Sequence, residues 1–436
     1  MARPSKKRFE LDVKQLSFIK KVLNITKIKD VDKAAMKQLK ENLKQLKDCR
    51  VKGKTKFKIW DVVVCSFLAI LFGAQDWEDI HDFVIEHYGW IREFLLLTGG
   101  IPSSKTYERV FSIIESQELE DILNDFIICF NIKSQYEIDI INIDGRVNRG
   151  SSRNETIYSE KVKPLNVLNA YSNKYGVCIA SEIIEDKTNE IPTIETLISG
   201  MNLTGIIATW DALNTQTKNV KAVINAGGDY IIPIKANQET FYNDLKLYFD
   251  EKRCEEIRAG NSNSVYYMEN EKSHSAFIKY EYFQTSDINW YSKLSDWEGI
   301  HSFGLVKKSI TKKMKVKNER KNAKKKMIEK IVTTTEYRYY ISSKHININE
   351  FNEVTRGHWN IENKIHWHLD FTFDQDKNTT RNKKALLNLE ITHKFVLACL
   401  ERVKDRYKRS LKAIRKHMSN NFEEFFPEFI AYLLLN

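Results

Sequence analysis

Three acidic residues stand where a chain can present a carboxylate for chemistry. Asp144 ends the run EIDIINID and is followed by Gly145, Asp211 follows the apolar run GIIATW, and Glu362 lies within 356–376, RGHWNIENKIHWHLDFTFDQD. Two strand-borne aspartates and a helix-borne glutamate can converge on two divalent cations about 3.5–4 Å apart, serving the attacking and leaving oxygens of a phosphodiester. Oxygen donors of this kind suit Mg²⁺ or Mn²⁺. Taken alone, Asp144 reads as readily as a turn residue, because Asp-Gly is a common turn dipeptide, and Asp211 has the same weakness. If 356–376 opens as a helix, Glu362 lies one turn from His358 and one from His366. A zinc site built on His358, His366 and His368 is the competing chemistry, but no cysteine or second histidine pair is placed to close it. His358 and His366 are then expected as neighbours of Glu362, with Trp359 and Trp367 filling a groove between helix and sheet.

The elements that must position these acids follow from periodicity. Lys, Leu and Ile at helical spacing run through 8–50, with Leu39, Leu43 and Leu46 as a stripe. Ile59–Phe72 reads as a buried helix, Trp77–Leu97 as an amphipathic one, and Ser103 or Ser104 can cap another through Ile114. Short β-rich runs follow at 137–143, 164–171, 177–184, 205–210 and 230–234, with helices expected at 193–199 and 215–225. Beyond Gln238 come a helix from Glu239 to Glu251 and alternating runs at 276–283, 303–310 and 331–341. The last two flank the basic block 311–330 as the strands of a long hairpin. Lys384–Arg406 reads as a helix, with a basic tail after it.

Charge is unevenly spread over the 436 residues. The net charge is +11, yet 1–58 alone holds 19 Lys or Arg against 6 acids, and 307–330 holds 12 against 2, so the remainder is acidic on balance. An acidic core with basic arms suits a polyanion such as nucleic acid, although lysine runs are also common as plain solvated segments. The six cysteines form no CxxC pair, which argues against a disulfide framework or a zinc module. The longest apolar run, 62–74, is too short to span a bilayer, so a cytoplasmic, nucleoid-associated protein without a membrane partner is expected.

Five stretches in order carry a family resemblance: GAQDWEDI with GIPSSKTYERVF, INIDGRVNRGS, IATWDALNTQ, GGDYIIPIKANQ, and the segment around Glu362. On these the chain resembles the ISAs-type DDE transposases, the insertion-sequence group that includes the H-repeat-associated proteins. The resemblance implies an α/β fold: a ribonuclease H-like catalytic domain with a β-rich insertion, preceded by an all-helical N-terminal region. It carries the three catalytic, metal-holding acids onto Asp144, Asp211 and Glu362. The chain departs from the family at Arg146, where Lys is usual, at Leu213-Asn214, and at Ala236 in Lys235-Ala236-Asn237-Gln238.

The expected organisation is a basic helical extension at 1–58, a helical domain at 59–134, and a catalytic domain at 135–238 with 345–407. The β-rich insertion spans 239–344 and a basic helical tail 408–436. Expected DNA contacts are Arg146, Arg149, Lys235, Asn237, Gln238, Arg356 and Asn363 near the acids. On the hairpin they are Lys312, Lys313, Lys315, Lys317, Arg320, Lys321 and Lys324, through phosphates. The expected reaction is cleavage of double-stranded DNA at transposon ends and strand transfer by a homodimer. A nuclease of the same fold, or a DNA-binding protein without catalysis, would share most of these features.

Overall fold

The computed structural model describes residues 31–51, 53–128, 139–154, 161–185, 190–260, 263–273, 276–317, 327–420 and 422–435. Expectations about 1–30 and about Arg320, Lys321 and Lys324 lie outside these residues, and for Lys315 and Lys317 the description is of the backbone alone. The chain forms two compact units, one from the residues up to Gly200 together with Trp359 onward, the other from Met201 to His358.

The first unit begins with helices at Val31–Leu43, Ile59–Leu71, Trp77–Glu86, Ser104–Phe111 and Ser116–Ile128. Leu39 and Leu43 are fully buried, and every residue of Ile59–Leu71 except Trp60 is buried. That helix is apolar all round because it has protein on every side. Asp76 caps the next helix by accepting the amides of Glu78 and Asp79, and that helix ends at Glu86, well before Leu97. Strands β1 (Asp139–Asn148), β2 (Leu165–Ser172) and β3 (Val177–Ile184) pair antiparallel in the order β1-β2-β3. The 25-residue helix Lys383–Tyr407 is buried from Ala385 to Leu400. The basic tail folds as two helices, Leu411–Asn420 and Phe422–Leu435, and Phe422 and Phe426 join the cluster of Phe72 and Trp90.

Strand β1 runs through the Asp-Gly pair instead of turning there. Gly145 pairs with Leu168 and Arg146 with Val167 in unbroken register. A Cβ at Gly145 would sit 2.7 Å from Oε1 of Glu190, the far end of a flexible side chain on the first residue of the helix Glu190–Ser199.

The second unit holds β4 (Ile206–Trp210), β5 (Asp229–Ile234), β6 (Ser264–Ser273), β7 (Ala276–Thr285), β8 (Ser302–Lys317) and β9 (Met327–Ser342). β4 and β5 are parallel, joined by the helix Thr217–Asn225, and β5, β9, β8, β7 and β6 continue as antiparallel neighbours. β8 and β9 are each 16 residues long and pair from Ser302 with Ser342 to Lys317 with Met327. The described residues of the basic block, 311–317 and 327–330, are strand, which extends beyond the apolar runs. β7 accompanies β8 only as far as Lys312, so the ribbon beyond has two strands. Among the described residues no helix is long and apolar enough to cross a membrane.

Candidate active site

Asp144 sits in the middle of β1 with its side chain 23% exposed. Its carboxylate accepts the Gly145 amide at 2.9 Å, and its other oxygen faces Nδ1 of His366 at 3.3 Å. His366 closes a π-helical turn, Glu362–His366, in which the amide of Trp367 reaches back to the Glu362 carbonyl. Single π-turns inside helices cost regular hydrogen bonding and recur at functional sites. This one re-aims the helix: Glu362 is exposed, while Ile361 and Ile365 are buried.

Asp211 follows β4 directly, and its side chain is 55% exposed. Nε2 of His358 lies 3.3 Å from its Oδ1. That hydrogen bond holds the Asp211 carboxyl below the usual carboxylate range, assisted by the nearby charges of Lys235 and Arg338. The turn behind Asp211 is pinned by side chains expected at DNA. Asn237 donates to the Ala212 carbonyl at 2.8 Å and Gln238 to the Thr215 carbonyl at 3.0 Å, while Thr215 donates to the Pro233 carbonyl at 2.9 Å. These amides position the acid and are spent on backbone. Lys235, beside them at the end of β5, is exposed.

The histidines also serve the other two acids: His358 faces Asp211 and His366 faces Asp144. His368 instead faces Thr372 at 3.0 Å and Glu401 at 3.5 Å. Trp359 and Trp367 fill no groove, being 40% and 51% exposed, and Trp367 stacks on the equally exposed ring of Phe371.

Arg146 is the clearest departure from the expected DNA contacts. It is 5% exposed, and Nη1 donates to Asn148, Gln375 and Glu390 at 3.0–3.1 Å while Nε and Nη2 hold Asp370. A guanidinium surrounded by its own acceptors has no donor to offer a phosphate. Arg149 remains outward, 80% exposed beside Asp376 at 2.7 Å. Arg356 forks onto Glu269 and Glu271 of β6 and lies over the Tyr280 ring. Asn363, Lys312 and Lys313 are exposed.

Taken one by one, the three carboxylates are the donor type that suits a hard divalent ion. Asp144, Asp211 and Glu362 offer carboxylate oxygens that solvent reaches, and each aspartate is faced by an imidazole, which yields to a cation more readily than lysine or arginine would. Among the described residues, no three His, Cys, Asp or Glu side chains are already gathered closely enough to hold an ion.

A helical N-terminal region and a mixed α/β core of the ribonuclease H-like kind define the class of DDE enzymes that act on nucleic acid. The family model described as "Transposase DDE domain" matches residues 139–397, and one described as "DDE_Tnp_1-associated" matches 40–127. The chain belongs to the DDE-domain transposase family. It is 27% identical over 400 residues to the putative transposase YncI of Escherichia coli O157:H7, covering 89% of this chain and 93% of that one. It is 27% identical over 351 residues to the H repeat-associated putative transposase YhhI of Escherichia coli K12, covering 80% and 86%. A shorter relative named "Inactive transposase YbfQ", from the same strain, is 32% identical over 77 residues, 18% of this chain and 92% of its own.

Proposed function

We propose that this transposase cuts double-stranded DNA at the ends of an insertion sequence and joins the freed 3′ ends to target DNA, with Asp144, Asp211 and Glu362 as the three catalytic acids. The observation that supports it most is that both aspartates, each on or directly after a strand inside the matched region, are solvent-reachable carboxylates faced by a histidine from the segment that carries Glu362. In the first step water attacks the end phosphodiester and the 3′ oxygen leaves as a hydroxyl. In the second that hydroxyl attacks a target phosphodiester and a target 3′ oxygen leaves, so no protein-bound intermediate is needed.

Asp144, Asp211 and Glu362 would hold two Mg²⁺ or Mn²⁺ ions, which when bound supply charge stabilisation to the attacking and leaving oxygens. His366 and His358 orient the two aspartates, and Asn237 with Gln238 fixes the turn that carries Asp211. Lys235, Arg149 and Asn363 are the outward groups near the acids in sequence that suit phosphate oxygens. Lys312 and Lys313, with Lys315 and Lys317 further along the same strand, put a basic ribbon toward DNA. Work on two ends calls for at least two active sites, so a homodimer on DNA is part of the proposal.

The test is purified protein with Mg²⁺ and labelled DNA carrying the element's own ends, scored separately for cut and joined product. Both products are expected. Cutting without joining would make the chain a nuclease, and tight binding with neither product would make it a DNA-binding protein that has lost catalysis.

A further inference from the structure

We infer that Arg146 and Asp370 form a positioning rung that fixes the Glu362 helix against β1, so that the two acids of the first unit are held as a pair. The inference rests on the proposed roles of Asp144 and Glu362, but the rung itself is a matter of geometry. The segment 362–371 touches β1 at two places: His366 faces Asp144 at 3.3 Å, and Asp370 takes Nε of Arg146 at 3.2 Å together with Nη2. The two contacts are four residues apart on the helix and two apart on the strand. Four helical residues advance roughly 6 Å and two strand residues roughly 6.6 Å, so the rungs match in spacing and the helix lies along the strand. Two matched rungs fix both the advance and the rotation of a helix, where one would leave a pivot.

The strand side of the rung is anchored from behind. Arg146 also donates to Glu390, which is fully buried on the long helix and accepts Asn148 at 2.9 Å. Lys394, one turn on, donates to Asn169 at 2.9 Å, and Asn169 is the β2 partner of Asp144. Gln375, which also accepts from Arg146, lies in the chain just after the Glu362 helix and ties its exit to the same guanidinium. The rungs hold the helix at His366 and Asp370, and Glu362 is carried on the π-turn that ends at the first of them.

Asp370 is 42% exposed, so its replacement removes the rung without opening the core. In the full-length chain, Asp370→Ala is expected to speed hydrogen exchange of amides in 359–371 about ten-fold while 385–403 stays protected. Mn²⁺ uptake by the free protein, read by paramagnetic resonance, should weaken about ten-fold with DNA affinity unchanged. Arg146→Lys, which keeps the charge and loses the fork, should fall between. Unchanged exchange in 359–371, or a rise that spreads equally through 385–403, would overturn the rung. Should the wild type take up no Mn²⁺, the metal role proposed for the acids fails, while the exchange result still decides the rung.

Discussion

Removing the Glu390 carboxylate tests the buried charge network under β1. Its Oε2 accepts Arg146 at 3.1 Å and Asn148 at 2.9 Å, and its Oε1 lies 3.8 Å from Lys394; Glu390 is 0% exposed, Arg146 and Lys394 5% each. Glu390→Leu therefore leaves two buried cations short of an anion. Breaking a buried pair on one side costs about 3–5 kcal/mol. Arg146 keeps Asp370, and Lys394 keeps Glu120 at 3.6 Å, so the lower end of that range, roughly 3 kcal/mol, applies here. At roughly 2–4 °C per kcal/mol for a unit of this size, the melting temperature should fall by about 10 °C. Glu390→Gln keeps an acceptor for Arg146 and Asn148 and should lose about half as much. Calorimetry on both variants makes the comparison. A leucine variant within about 1 °C of wild type would show that the cations do not depend on Glu390, and the reasoning would fail.

Three further outcomes follow from other parts of the molecule. Gly145→Ala should shift a urea melt only slightly, because the added methyl meets the movable end of the Glu190 side chain, and a large loss that Glu190→Ala does not recover would mean that another contact excludes the methyl. Replacing Lys312, Lys313, Lys315 and Lys317 by Gln should lower the slope of log affinity against log salt by up to about 3.6, at roughly 0.9 per lost phosphate contact, and an unchanged slope would remove the ribbon from the DNA interface. Because His358 holds the folded Asp211 carboxyl low, that group contributes stability present above its unfolded value and lost as pH falls through the lower folded one. His358→Ala should therefore reduce the fall in urea midpoint below pH 4, and an identical acid limb in both proteins would contradict the assignment.

The sequence shows what depends on neighbours a few residues away and misses what depends on distant ones. The apolar circumference of Ile59–Leu71 and the runs ending at Asp211 identify their elements, because propensity and burial agree there. Asp144-Gly145 looks like a turn because the strand it pairs with, β2 at Leu168 and Asn169, comes more than 20 residues later. Arg146 looks like a DNA contact because Asp370 and Glu390, which neutralise it, and Gln375, which also accepts from it, lie more than 220 residues away. The outer parts of β8 and β9 escape a hydrophobic pattern because most of their described side chains are exposed, with Met314 and Ile331 among them. Alternation marks half-buried strands only. The π-turn has no sequence signature, so the pairing of His358 with Asp211 and of His366 with Asp144 could be seen only once the backbone was in place. The nearness of both histidines to Glu362 in sequence was the available signal; it pointed to the segment but not to the aspartates that the histidines face.

The most direct measurement of the central claim is Asp211→Asn assayed on end DNA in Mg²⁺, with binding and cleavage read in the same samples. The substitution keeps shape and removes one charge from a half-exposed side chain beside His358. Binding within about two-fold of wild type and loss of both cut and joined products is the predicted result. Nicking at a wild-type rate would contradict it.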